Sequence, residues 1–156
     1  MNAGTALGEV ADVLVEVDGL TPEGPRRIPR ADLPMRYREG GLPAGFVVTS
    51  ATFGLSRVGF EAEQERIAHH LARRKATQPL ELRSCGSVFR NPPGDHAGRL
   101  IESVGLKGHR IGSAAISERH ANFIVNLGGA TAADVMGCIR LAWERVRDET
   151  GVRLVP

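Results

Sequence analysis

The feature that most limits what this chain can fold into is a change of hydrophobic period along it. From Glu9 to Asp18 the apolar residues Val10, Val13, Val15 and Val17, with Leu14 also apolar, are interleaved with polar ones, which predicts a half-buried strand. Gly19 to Pro25 supplies turn residues, and Arg26 to Arg30 is expected to return as a short strand. Phe46 to Phe53, with Val47, Val48 and Thr49, reads as another, because β-branched and aromatic side chains suit a pleated surface. From Phe60 to Arg74 the period lengthens: Ile67, Ala68, Leu71 and Ala72 recur at helical spacing, with charged residues on the other face. The clearest helix runs from Thr131 to Thr150, where Val135, Ile139, Ala142 and Val146 recur on one face. Thr131 is its expected cap, Asp134 lies in its first turn and Gly151 marks its end.

Between these elements, Ala76 to Pro93 is rich in Pro, Gly and Ser. A short helix is expected near Ala97 to Val104, with Leu100, Ile101 and Val104 on one face and Asp95 as N-cap. Ala114 to Ile116, Asn122 to Leu127 and Val152 to Val155 read as strands. There is no internal repeat and no low-complexity tract. Strand runs mixed with helices of unequal length predict an α+β fold rather than a regular βαβ array.

Composition narrows the class further. A chain of 156 residues is of single-domain size and buries about two-thirds of its unfolded surface. Hydrophobic residues make up 42% and charged residues 24%, and Lys+Arg exceed Asp+Glu by only 20 to 18, which argues against disorder and against a nucleic-acid-binding polycation. The longest apolar stretches, such as Ala44 to Leu55, are broken by Gly, Ser and Thr and fall short of the ~20 residues of a spanning helix. The first residues lack a basic region followed by a long apolar one, so a cytoplasmic protein is expected, without membrane or nucleic-acid partner. Cys85 and Cys138 lie in different predicted elements and are expected to be reduced thiols.

Three loops concentrate chemistry. In Gly86-Ser87-Val88-Phe89-Arg90-Asn91-Pro92-Pro93 a hydroxyl, a guanidinium and a carboxamide follow a glycine within five residues, a set able to donate protons and grip an oxyanion. On composition alone a polar turn is the simpler reading, and Ser87 lacks the G-x-S-x-G elbow of a serine hydrolase. Arg36-Tyr37-Arg38-Glu39-Gly40-Gly41 places an aromatic between two guanidiniums, suited to a carboxylate or phosphate; a solvated turn with one Arg paired to Glu39 is the plain alternative. Gly105-Leu106-Lys107-Gly108-His109-Arg110-Ile111-Gly112 is basic and glycine-rich but lacks P-loop spacing. Histidines 69, 70, 96, 109 and 120 form neither H-x-x-x-H nor H-E-x-x-H, so no metal site is argued. His69 and His70 are expected on a wet helix face, and Trp143 in packing.

The order of short segments takes the reading further. Met1-Asn-Ala-Gly4, Tyr37-Arg38, Arg74-Lys-Ala-Thr-Gln-Pro79, Gly86-Ser-Val-Phe-Arg-Asn-Pro92, Ala97-Gly-Arg-Leu-Ile-Glu102, Gly105-Leu-Lys-Gly108, Ser117-Glu-Arg-His-Ala121, Phe123-Ile-Val-Asn126 and Gly151-Val-Arg-Leu-Val-Pro156 resemble, in the same order, the second half of the UDP-N-acetylenolpyruvoylglucosamine reductase (MurB) family. The G-S-x-F-[KR]-N-P loop is the most specific of them. The resemblance implies an FAD- and NADPH-dependent oxidoreductase of peptidoglycan synthesis, and through it of cell-wall biogenesis, cell shape and division. Its substrate is UDP-N-acetylglucosamine enolpyruvate, which takes a hydride from flavin at C3 and a proton from a serine at C2. By position, Ser87 resembles the proton donor and Arg38 the arginine facing the enolpyruvyl carboxylate. Tyr37, Asn91 and Arg74 resemble substrate-binding residues, and Asn2 and Gly4 belong to a loop beside the flavin.

The same resemblance implies that residues 1–58 are the remainder of a PCMH-like α+β FAD-binding domain, 59–76 a linking helix, and 77–156 a smaller α+β domain for the UDP-sugar. Gly40 stands where the family commonly has Ser, and Ser113 where Gly is common. The family's catalytic glutamate directly follows a Pro at the position of Pro156, the last residue of this sequence. The expectation is therefore a C-terminal part, cut at both ends and inactive alone; a non-catalytic UDP-sugar-binding module or degenerate remnant is the alternative. The first strands are also expected to expose an apolar edge.

Overall fold

The computed structural model describes residues 2–5 and 7–156. The chain divides into two compact units, Met1–Gly59 and Phe60–Pro156. In the first, β1 (Gly4–Thr5) pairs antiparallel with β2 (Gly8–Glu9), and α1 (Val10–Val13), a single turn, leads into β3 (Leu14–Thr21). β3 is the centre of an antiparallel sheet, flanked by β4 (Gly24–Pro29) and β5 (Val47–Phe53). Its inward face is closed by Leu14, Val17, Ile28 and Leu33, with Val10, Met35 and Phe46 packed on them. On the outer face the register brings Asp18 opposite both Arg27 and Ser50, and the Asp18 carboxylate accepts from Arg27 Nε at 2.7 Å and Ser50 Oγ at 3.0 Å. The guanidinium first, then the hydroxyl, holds that carboxyl below its ordinary value.

The strand expected from Glu9 begins only at Leu14. Local polar groups explain the difference: Asp12 Oδ2 accepts from the Glu9 N–H at 2.6 Å and Asn2 Oδ1 from the Ala11 N–H at 2.9 Å. Side chains thus take backbone donors that a strand would offer to a ladder. The return strand near Arg26 is present as β4, and β5 matches the Phe46 to Phe53 pattern. β5 is an edge strand, with Val47, Val48 and Phe53 exposed.

The second unit opens with α2 (Phe60–Thr77), continues through β6 (Arg83–Ser87), α3 (Ala97–Ser103), β7 (Arg110–Ile111), β8 (Ala114–Ile116) and β9 (Phe123–Asn126), and closes with α4 (Ala132–Thr150). The strands form one antiparallel sheet in the order β6-β9-β8-β7. Alternation along β8 and β9 sends Ala114, Ile116 and Ile124 to one face, where they pack with Leu100 and Ile101 of α3 and Cys138, Ala142 and Val146 of α4. The thiols of Cys85 and Cys138 are free, the first exposed, the second buried; burial pushes the Cys138 thiol up. Thr131 caps α4 by accepting from the Asp134 N–H, the Asp134 carboxylate returns a bond to the Thr131 N–H, and Gly151 ends the helix at φ 74°.

Four details depart from the sequence pattern. α3 is capped at His96, one residue beyond Asp95. Asp95 instead accepts from the His96 N–H and pairs with Arg99; that guanidinium, then the His96 N–H, holds its carboxyl to about 2. β6 and β7 lie in segments whose polar, glycine-containing sequences carry no alternation. Val152 to Val155 is no strand: it contributes one backbone bond, Arg90 N–H to Val155 O at 2.7 Å, while Leu154 fills the core. The apolar stripe of α2 is real in spacing, yet no residue of α2 is buried and Ile67 and Leu71 remain exposed. Among the described residues no helix is long and apolar enough to cross a membrane.

Ile101 is fully buried between α3, the sheet and α4. Ile101→Ala is expected to destabilise the second unit by about 2–5 kcal/mol through lost transfer energy and a residual cavity. Met136→Ala, on the exposed face of α4, should stay within about 0.5 kcal/mol. Urea unfolding followed by the fluorescence of Trp143, the one tryptophan, measures both.

Candidate functional site

The segment that carries Ser87 is built by an irregularity at the sheet edge. The register of β6 against β9 runs from Ser84↔Val125 to Ser87↔Phe123, so three steps on one strand face two on the other. That inserts one extra residue, a β-bulge. Gly86 sits in the bulge at φ 85°, a region that side chains with a Cβ rarely enter. The bulge turns the strand end outward and leaves Ser87 exposed.

Immediately after Ser87 the chain is pinned inward. The Phe89 ring is 1% exposed and belongs to the core with Leu100, Ile116 and Val146. The Val88 N–H donates to the Asn122 backbone O, the Phe89 N–H to Asn122 Oδ1, and Asn122 Nδ2 back to the Phe89 O, each at 2.9 Å. Asn122 is itself buried. Its own N–H donates to His120 Nδ1 at 3.2 Å, which requires an unprotonated Nδ1. His120 lies half-buried against the Phe123 ring, 4.8 Å between centroids. Burial holds its imidazole below the ordinary histidine value, with Lys107 acting the same way and Glu102 against it. The buried Ser117 Oγ accepts from the N–H groups of Arg119 and His120 and fixes the turn that presents the ring.

Asn91 closes the loop: its Oδ1 accepts from the Ala97 N–H at 3.1 Å, so the carboxamide supplies an acceptor that the N-cap residue of α3 does not. Arg74 is exposed in the last turn of α2. Arg119 Nη1 donates to the Lys75 O, the Gln78 O and the Glu81 carboxylate, tying the end of α2 to the turn before β9. Beside it opens a cleft of about 570 Å³ whose floor is Ala115, Val125, Leu82 and Leu127, with Arg110 and Glu118 at its rim. Ala115 and Val125 alternate with the core residues, so the cleft lies on the sheet face away from α3 and α4.

In the first unit, the Arg36 and Glu39 backbones exchange two hydrogen bonds across Tyr37-Arg38, at 3.1 and 2.9 Å. Arg38 occupies the third position at φ 58°, the one non-glycine positive φ among the described residues. Such a conformation costs an arginine about 1–2 kcal/mol and marks a position whose side-chain direction matters more than its comfort. Tyr37 is half-exposed and Arg38 partly buried. Asn2, 2% exposed, holds this turn: Nδ2 donates to the Arg36 O at 3.4 Å and to Glu9 Oε2 at 2.6 Å. Its carboxamide therefore serves the chain, so Asn2 would support a flavin by fixing the loop. Gly4 presents exposed backbone, and a Cβ there would meet Glu9 Cγ at 3.1 Å. Among the described residues no three His, Cys, Asp or Glu side chains gather as for a metal ion.

The sequence profile of the UDP-N-acetylenolpyruvoylglucosamine reductase C-terminal domain matches residues 78–156. The chain belongs to this family. It is 52% identical over 156 residues to the UDP-N-acetylenolpyruvoylglucosamine reductase of Anaeromyxobacter sp. strain Fw109-5, covering 99% of this chain and 48% of that protein. To the reductase of Myxococcus xanthus it is 48% identical over 156 residues, 100% of this chain and 50% of that one. The crystal structure of the reductase from Thermus caldophilus matches with a TM-score of 0.87 and 42% identity, over 99% of this chain and 56% of that chain. The chain thus spans about half the length of the curated relatives it matches, and it has their α+β fold.

Sequence reasoning singled out Ser87 and Asn91 but gave no role to Ser117, His120 or Asn122. The available signal was five polar residues, Ser117 to His120 and Asn122, interrupting the apolar run from Ala114 to Val125.

Because the folded value of His120 is depressed, its contribution to stability is complete above its unfolded value and is lost as the pH falls through the folded one. The unfolding midpoint in urea is expected to drop as the pH is lowered through and below the ordinary histidine range, and to drop less in His120→Gln. Equal slopes for the two proteins would refute the assignment.

Proposed function

We propose that this chain supplies substrate-binding and proton-delivering residues of a UDP-N-acetylmuramate dehydrogenase: an FAD- and NADPH-dependent reductase acting on UDP-N-acetylglucosamine enolpyruvate in the cytoplasm. The observation that carries the reading is the Gly86–Asn91 loop. It exposes a serine hydroxyl at a bulge and buries the phenylalanine two residues later. A proton donor needs this combination, since it must reach the ligand and still be held to a fraction of an ångström.

Reduction of the enol ether adds a hydride to C3 and a proton to C2. FAD, reduced by NADPH, supplies the hydride when bound. As the hydride arrives, electron density moves toward C2 and the neighbouring carboxylate, giving an enolate-like state that positioned cations and donors stabilise. Arg38 is the cation for the carboxylate, its direction set by the φ 58° turn and the Asn2 bond to Arg36. Ser87 Oγ gives its proton to C2, and solvent restores it. A serine is a weak acid, so this transfer needs developing negative charge on carbon and a dry site.

Asn91 offers its carboxamide to the UDP-sugar from a position fixed by α3, and Tyr37 and Arg74 are exposed to reach it. The Ala3–Gly4 backbone would border the flavin. Residues 1–58 take the flavin side of the reaction, 59–76 connect, and 77–156 hold the sugar nucleotide.

The two half-reactions test this. In the full-length, FAD-loaded reductase that contains these residues, Ser87→Ala is expected to leave flavin reduction by NADPH unchanged while slowing substrate reduction by about 10²–10⁴-fold, the usual worth of general acid catalysis. Equal loss in both half-reactions would remove Ser87 from the role. Calorimetric binding of the enolpyruvyl UDP-sugar with no flavin-dependent turnover would instead indicate a binding module.

A further inference from the structure

We infer that Asn122 is the positioning residue for the Ser87 hydroxyl, acting through a buried three-bond clamp on Val88 and Phe89 and held in register by His120. The inference rests on Ser87 being the proton donor, and it assigns a function to a residue that touches no ligand.

The β6 ladder ends at Ser87, the last residue with a strand partner, immediately after a bulge. A strand end beside a bulge is a poor place to fix a side chain, because one residue there lacks a ladder bond and the twist rises. Asn122 corrects this. Its backbone O takes the first amide after Ser87 and its carboxamide takes both backbone groups of Phe89, donor and acceptor together. The side chain thus imitates one further residue of a paired strand, and with the buried Phe89 ring it locks the backbone one and two residues past the hydroxyl.

The clamp is anchored on its far side. The Asn122 N–H rests on His120 Nδ1, the Phe123 N–H on the His120 O, and the imidazole packs on the Phe123 ring, whose residue is the strand partner of Ser87. α3 passes over it closely: a Cβ added to Gly98 would come within 3.0 Å of His120 Cε1 and 3.7 Å of Asn122 Cβ.

The test is substrate reduction by the full-length, FAD-loaded reductase that contains these residues, pre-reduced with NADPH and followed by stopped flow, in the unchanged protein, Ser87→Ala, Asn122→Ala and the double variant. Asn122→Ala should slow this half-reaction by about 10²-fold, the cost of misplacing a reacting group by an ångström, with flavin reduction by NADPH unchanged. In the Ser87→Ala background it should cost nothing further, because a residue that acts only through Ser87 has nothing left to position. A rate within about twofold of the unchanged chain, or losses that multiply, would overturn the inference.

If Asn122→Ala does not fold, Gly98→Ala decides: alanine is the better helix former, so slowed substrate reduction there reports displacement of His120 and Asn122, and an unchanged rate overturns the inference. If the unchanged full-length reductase reduces no substrate, the proposed function fails separately. The Ser87 three-bond couplings then judge the positioning: one side-chain rotamer in the unchanged chain and averaging in Asn122→Ala or Gly98→Ala support it, and identical couplings refute it.

Discussion

The second unit depends on how one buried residue, Phe89, is joined to the sheet. Its ring fills the space between α3, α4 and the sheet, worth about 1.5–3 kcal/mol for a buried side chain of this size. A ring in the core brings its backbone with it, and buried amide groups need partners. Asn122 meets that need with one carboxamide, both donor and acceptor. The loop from Gly86 to Asn91 is therefore exposed at Ser87 and rigid just behind it. Hydrophobic burial supplies the force, and the polar clamp supplies the direction.

The first unit reaches a similar end by different means. The Arg36–Glu39 turn is closed by two backbone bonds at 3.1 and 2.9 Å and steadied by the buried Asn2, which also reaches Glu9 and the Ala11 amide. The positive φ at Arg38 is the strained element. In both units a buried carboxamide bonds the backbone of a turn or loop: Asn2 at the Arg36 carbonyl, Asn122 at both backbone groups of Phe89.

Much of this was legible in the chain. Helical spacing located α2 and α4, the capping pair Thr131 and Asp134 and the terminal Gly151 fixed both ends of α4, and β-branched runs located β5 and β9. The elements that went unseen have short-range causes that cancel in a pattern. β6 reads Arg-Ser-Cys-Gly-Ser and shows no alternation, because it is an edge strand broken by a bulge. Val10 to Val13 carries strand-forming residues yet makes a helical turn, because Asp12 takes the Glu9 amide just before it and Asn2 the Ala11 amide within it. Asp95 has the chemistry of an N-cap, but Arg99 and the His96 amide claim its carboxylate, and Asn91 serves α3 from six residues away.

By itself the sequence determined the class of fold and, through its ordered loop motifs, the family. These are set by residue type and spacing along one strand or one helix, which are local properties. Only the tertiary structure decided that Asn122 and Phe89, 33 residues apart, form the clamp, and that His120 Nδ1 stands behind it as acceptor for the Asn122 N–H. Long-range pairing chooses among many partners equally permitted by local pattern, and burial settles the choice because inside the core every polar group must find a specific counterpart.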